Sequence, residues 1–172
     1  MPVLHEGKYL RVISKDGWEY VERTHCNEAV VVLAVTDEGK VILTEQYRVP
    51  VGKNVVEFPA GLLKDPGAPA GETNEEAALR ELLEETGYQA EEAELLAGGP
   101  PTAGLSSEIA LFYEAGSVKK VSKGGGVESE KITVHEIPLQ EVDGWLQGME
   151  AKGKLVDPKV YAGLYLLGKR GI

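Results

Sequence analysis

Apolar and polar residues alternate over 9–14 and again over 18–24, and the two runs flank Asp16-Gly17. Period-two alternation marks half-buried strands, and Asp-Gly readily takes the positive-φ positions of a two-residue hairpin turn. The next segment reads differently. From Ala29 to Val35 the chain is unbroken Ala, Val and Leu, so 28–36 fits a strand covered on both faces. Asp37-Glu38-Gly39 turns it into a second strand over 40–47, and a short strand over 55–58 runs into Pro59-Ala60-Gly61.

After a loop over 64–71 rich in Pro and Gly, the pattern becomes helical. Thr73 with Glu76 three residues on forms a capping box, and the helix continues to Thr86 and stops at Gly87. Strands follow near 93–97, at 109–114 and at 132–137. A Gly/Pro loop over 98–107 and an acidic, glycine-rich loop over 123–130 separate them, and 138–148 and 157–169 read as helices. Strands and helices in mixed order predict an α+β sandwich, helices packed on a mixed sheet. At 172 residues the chain fits a single domain, 1–172.

Composition narrows the function. A formal net charge of −10 argues against a nucleic-acid surface, which needs Lys and Arg to neutralise phosphates. The same charge is awkward for an enzyme acting on anionic phosphates unless bound dications intervene; otherwise it is an acidic, soluble surface. No apolar run reaches the length of a membrane span, and the first residues lack a secretory layout. Cys26 is the only cysteine, which excludes an internal disulfide and a Cys-based zinc cage. The expected location is the cytoplasm.

The chemistry concentrates in 72–88. At roughly 100° per residue, Glu81, Glu84 and Glu85 fall within about a third of the helix circumference, while Leu79, Leu82 and Leu83 face elsewhere. Three crowded carboxylates repel one another unless a positive charge sits among them. Arg80 can pair with Glu84 one turn on. A hard dication taking several carboxylate oxygens would compensate the rest, and a solvated acidic face is the other reading.

The spacing Glu72, seven residues, Arg80-Glu81-Leu82, one residue, Glu84-Glu85, one residue, Gly87 resembles the signature of the Nudix hydrolases. Gly61 resembles the glycine that precedes it. Ten residues lie between Gly61 and Glu72, making this loop longer than the family's by about five, at little thermodynamic cost. The resemblance extends over nearly the whole chain and is nearest to the ADP-ribose pyrophosphatase and nucleoside diphosphate sugar hydrolase branch. Gln46-Tyr47-Arg48, Glu57-Phe58-Pro59-Ala60-Gly61, Trp18-Glu19-Tyr20-Val21-Glu22-Arg23 and, more loosely, Gly104-Leu105-Ser106-Ser107-Glu108 carry it.

The resemblance implies an α/β/α sandwich with a mixed sheet, preceded by an antiparallel strand region over about 1–27. It implies Mg²⁺, with Mn²⁺ a possible substitute, held by Glu81, Glu85 and the carbonyl of Ala60, with Glu84 in or beside this set and Glu72 hydrogen-bonded around it. Arg80, Glu84 and a loop glutamate, Glu130 first and Glu128 second, would serve catalysis, the loop glycines letting it close and reopen. Substrate contacts would come from Trp18, Glu19, Arg23, Arg48, Gly61, Leu62 and Gly104. Trp18 would stack on a purine or else sit in a core or interface. The implied reaction is hydrolysis of the pyrophosphate bond of ADP-ribose or a nucleoside diphosphate sugar. The products are a nucleoside monophosphate and a sugar phosphate. The implied assembly is a homodimer with exchanged N-terminal strands and no nucleic-acid or membrane partner. Two other readings stay open: a nucleoside triphosphate or dinucleoside polyphosphate pyrophosphatase, and a nucleotide-sensing module without chemistry.

Overall fold

The computed structural model describes residues 2–63, 68–126 and 131–171. The chain opens with an antiparallel meander of β1 (Val3–Glu6), β2 (Leu10–Lys15) and β3 (Trp18–Arg23). Lys15 pairs with Trp18 across the β2–β3 turn, where Asp16 and Gly17 have φ of 51° and 82°. Those two positive angles are what the Asp-Gly hairpin predicts.

The rest of the described residues form two four-stranded sheets, one two-stranded antiparallel sheet and three helices. In chain order these are β4 (Glu28–Ala34), β5 (Lys40–Arg48), β6 (Lys53–Glu57), β7 (Ala60–Leu62), α1 (Asn74–Thr86) and β8 (Tyr88–Gln89). They continue with β9 (Ala93–Gly99), β10 (Ile109–Ala115), β11 (Lys119–Lys120), β12 (Thr133–Pro138), α2 (Val142–Ala151), β13 (Leu155–Val156) and α3 (Pro158–Arg170). One sheet has the order β7-β4-β10-β9, with β4 and β10 parallel and both flanking pairs antiparallel. The other has the order β12-β5-β6-β13, antiparallel except for β6 and β13.

Strand β4 shows why the layers stack as they do. Its side chains alternate between two faces, and both faces are apolar. Val30, Val32 and Ala34 join Ala77, Ala78 and Leu82 of α1 in one core. Val31 and Leu33 join Leu146 of α2 and Val160 and Leu167 of α3 in the other. All five of these β4 side chains are buried, the three valines and Leu33 each contributing about 1.5–3 kcal/mol. One helix therefore covers one side and two cover the other, the expected α/β/α sandwich. The second core closes tightly at Gly163, where a Cβ would fall 2.3 Å from Phe58 Cε2.

Two boundaries that differ from the sequence reading have a local cause. The helix expected over 138–148 begins at Val142, after Pro138 has paired with Lys40 at the end of β12 and a 3₁₀ turn has followed. Proline, lacking an N–H, suits a strand end. Strand β9 runs on to Gly99, because Gly98 lets Leu111 of β10 approach; a Cβ there would lie 2.9 Å from Leu111 Cδ2.

Candidate active site

Helix α1 is fixed at both ends by its own sequence. Thr73 Oγ1 accepts from the Glu76 N–H at 3.2 Å and Glu76 Oε2 accepts from the Thr73 N–H at 2.7 Å, the reciprocal pair foreseen for the capping box. Gly87 ends the helix with φ of 75° and donates to the Leu83 carbonyl. Between them, Ala78, Leu82 and Glu85 form one buried stripe at helical spacing, and Leu83 is exposed.

Glu85 thus belongs to the buried side of the helix, not to a solvated acidic face. It is 4% exposed, and its Oε2 accepts a hydrogen bond from the Ala60 N–H at 3.1 Å. Glu81, one turn earlier, lies against Gly61, where a Cβ would fall 1.9 Å from Glu81 Cδ. Glycine at 61 leaves the space that this carboxylate fills. Two carboxylates on successive turns therefore meet adjacent residues of β7. Glu84 stands at the rim, with a side chain 40% exposed.

Arg80 distributes positive charge through this group. Its Nε and Nη2 donate to Glu72 at 2.8 and 3.2 Å, and its Nη1 donates to Glu81 at 2.7 Å and to Glu84 at 3.2 Å. The Glu72 hydrogen bond, opposed by burial and reinforced by Glu81, holds Arg80 above its ordinary pKa. The i,i+4 pair expected with Glu84 is present, and Glu72 is held by the same guanidinium. Among the described residues no group of three or more His, Cys, Asp or Glu side chains is arranged to hold a metal ion. The oxygens that gather are those of Glu81 and Glu85 beside the Ala60 backbone, a hard-donor set that fits Mg²⁺ or Mn²⁺ and not a soft metal.

A cleft of about 400 Å³ opens in front of this patch. It brings together Arg23, Arg48, Ala60, Gly61, Leu62 and Glu81. Each arginine is oriented by an acid: Arg23 Nε donates to Glu108 Oε2 and Arg48 Nε to Glu57 Oε2, both at 2.7 Å. Burial pulls the Arg48 pKa down, but Glu57 more than offsets it and the guanidinium ends above its ordinary value. Lys159 also lines the cleft, its Nζ donating to Asp157 Oδ2 at 2.5 Å.

Other candidates lie elsewhere. Trp18 is 62% exposed, Glu19 is exposed, and both sit at the far end of β3 from Arg23. A strand rises about 3.3 Å per residue, so neither lines this chain's own cleft. Gly104 is exposed on the 100–107 loop, which is tied to β3 through the Val21 N–H and the Leu105 carbonyl at 2.9 Å. Glu128 and Glu130 lie outside the described residues.

In the sequence Glu57 and Glu108 stand only as motif letters, and Lys159 carries no assigned role. For Lys159 a signal existed. A cation in the first turn of a helix opposes the macrodipole, which invites a search for another role. Asp157, the N-cap, offsets that cost here.

The chain is similar to several known proteins. The methanol dehydrogenase activator of Bacillus methanolicus is 40% identical over 114 residues and the ADP-ribose pyrophosphatase of Bacillus subtilis (strain 168) is 39% identical over 114 residues. Each match covers 66% of this chain and 59% of the relative, so the chain spans less than two thirds of either. The ADP-sugar pyrophosphatase of Mus musculus is 38% identical over 161 residues, 84% of this chain and 71% of that protein. A crystal structure of an ADP compounds hydrolase superposes with a TM-score of 0.71 over 98% of this chain and 89% of that one, at 23% identity, a likeness of fold. The family model described as NUDIX domain matches residues 27–162. With that match over most of its length, and with the acidic helix, the glycine that seats Glu81 and the α/β/α layers all in place, the chain belongs to the Nudix family.

Proposed function

We propose that the protein hydrolyses the pyrophosphate bond of ADP-ribose or a nucleoside diphosphate sugar, releasing a nucleoside monophosphate and a sugar phosphate. One observation carries this reading. Glu81, seated on Gly61 one turn before the buried Glu85 that meets the Ala60 N–H, lines a cleft whose cations Arg23, Arg48 and Lys159 are each oriented by one acid. The acidic chain is thereby locally suited to a diphosphate.

Nudix hydrolases need a divalent metal, and we assign Mg²⁺ to Glu81, Glu85 and the Ala60 carbonyl, with Glu84 beside them. Bound there, Mg²⁺ supplies Lewis-acid polarisation and a water of lowered pKa. The chain's own groups do the rest. Arg48 and Lys159 bind the non-bridging oxygens through charge-assisted hydrogen bonds, and Arg23 holds the nucleotide side. Glu57, Glu108 and Asp157 keep these cations oriented, so less side-chain freedom is lost on binding. Gly61 and Leu62 form the floor, and Glu130 or Glu128 takes the proton from the attacking water.

The relatives named for ADP-ribose and ADP-sugar hydrolysis support this substrate class. Val3, Leu4, Tyr9, Leu10 and Trp18 are exposed on the N-terminal meander, an apolar surface suited to a second copy of the chain. In such a homodimer Trp18, Glu19 and Gly104 would serve the partner's site. Among the described residues no helix is long and apolar enough to cross a membrane. A lone cysteine and nucleotide chemistry are in keeping with the cytoplasm.

The test is turnover of a sugar-nucleotide and nucleoside triphosphate panel with Mg²⁺ in ¹⁸O-labelled water, read by phosphorus NMR. Glu85→Gln should fold and lose most turnover at saturating Mg²⁺. Preference for triphosphates, binding without turnover, or wild-type rates in Glu85→Gln would each reject the proposal.

A further inference from the structure

We propose that Gly124, Gly125 and Gly126 are positioning residues for the acidic end of α1, a role that rests on the metal assignment above. The last four carbonyls of a helix have no partner within it, and here the last turn carries both Glu84 and Glu85. The Gly125 N–H donates to the Glu85 carbonyl at 2.8 Å and the Gly126 N–H to the Glu84 carbonyl at 3.1 Å. Two more donors from the same segment, the N–H groups of Val121 and Ser122, reach the Gly87 carbonyl at 2.8 and 3.1 Å. The Gly125 carbonyl in turn accepts from the Ile132 N–H at 3.4 Å, which ties the segment to the residue before β12.

Only glycine suits this seat. The three residues have φ of 63°, 113° and 79°, angles that cost an L side chain free energy. Contact adds a second requirement, since a Cβ at Gly124 would lie 2.3 Å from the Thr86 carbonyl carbon and 2.6 Å from the Gly87 nitrogen. The sequence alone reads the three glycines as a hinge. In the structure they lie docked against the helix end.

Glu85 is consequently held at both ends. Its carbonyl is capped by Gly125, and its buried carboxylate accepts from the Ala60 N–H at 3.1 Å. A ligand fixed in this way loses little freedom when a cation arrives. Loosening the cap should let the last turn fray and weaken the cation site before it unfolds the domain.

The experiment compares wild type, Gly125→Ala and Gly124→Ala, with Lys123→Ala as a control at a neighbouring residue that has no positive φ. Mn²⁺ affinity is measured by electron paramagnetic resonance, folding by circular dichroism and melting temperature, and kcat separately from KM. Gly125→Ala is the decisive variant, because its Cβ would meet nothing nearer than the Ile132 carbonyl oxygen at 3.9 Å and the change is confined to φ. The expected result is a Kd for Mn²⁺ raised about tenfold, the scale of supporting-residue changes at metal sites, with the fold intact and Lys123→Ala unchanged. A folded Gly125→Ala that binds Mn²⁺ as wild type does would overturn the proposal. Wild type that binds no Mn²⁺ would sink the metal assignment itself, an outcome distinct from a variant-specific loss.

Discussion

Gly61→Ala isolates the closest approach in the candidate site. The position lies in β7 opposite Val30 and is not among the glycines with positive φ, so alanine is conformationally acceptable there. The obstacle is one side chain. A Cβ would stand 1.9 Å from Glu81 Cδ, 2.1 Å from its Oε1 and 2.5 Å from its Cγ. Regaining ordinary contact moves the carboxylate by about 1.5 Å, and misplacement by about 1 Å can cost roughly 100-fold in rate. Folding should suffer little. The displaced group is the far end of a flexible side chain, and Arg80 keeps Glu72 and Glu84 as partners when Glu81 moves. The expected outcome is kcat reduced about 100-fold, with Tm lowered by no more than about 2–4 °C. Phosphorus NMR of product formation and a thermal melt read the two quantities. Adding Gly61→Ala to Glu81→Ala should cost little more, because the clash acts through that carboxylate. A folded Gly61→Ala with wild-type turnover would show that the position of Glu81 does not matter to the reaction.

Two further substitutions probe the scaffold. Gly163→Ala places a Cβ 2.3 Å from Phe58 Cε2 and 2.6 Å from Leu33 Cδ2, both core atoms. Overpacking of that kind costs about 1–3 kcal/mol, so Tm should fall by about 2–10 °C while the folded fraction keeps its turnover; an unchanged melt would mean that α3 has room to shift. Glu45 is 5% exposed and accepts from Asn54 Nδ2 at 2.7 Å and Lys154 Nζ at 2.6 Å, with His135 Nε2 3.0 Å away. Burial raises its pKa, but the hydrogen bonds from Lys154, Asn54 and His135 prevail and leave it below the ordinary 4.5. A carboxyl depressed in the folded state contributes stability above its unfolded pKa and loses it as pH falls through the folded one. Urea midpoints should therefore drop as pH falls below 4.5, and Glu45→Gln should flatten that drop while lowering stability at neutral pH. Parallel pH profiles for the two proteins would remove Glu45 from the acid transition.

Much of this molecule was legible in the chain because its signals are local. The Asp16-Gly17 hairpin, the doubly covered β4 and the Thr73–Glu76 box depend on residues one to four apart, where backbone sterics and short hydrogen bonds decide the outcome. The spacing of Arg80, Glu81, Glu84 and Glu85 along one helix, with Glu72 just before it, is local too, so the acidic cluster is legible in the chain. Strands β1, β7, β8, β11 and β13 are two to four residues long, too short for periodicity to register. What only tertiary structure decided is which carboxylates turn inward and what they meet. Glu84 and Glu85 are adjacent in sequence, yet one stands at the rim and the other is buried against Ala60, because α1 lays its Ala78–Leu82–Glu85 stripe on β4 and β7. The pairing of Arg23 with Glu108 spans 85 residues. The entry of Lys159 into the cleft and the seating of three glycines on the end of α1 likewise arise only when distant segments are packed together. No pattern along the chain encodes such contacts, since their energy exists only once the sheets and helices have closed on one another.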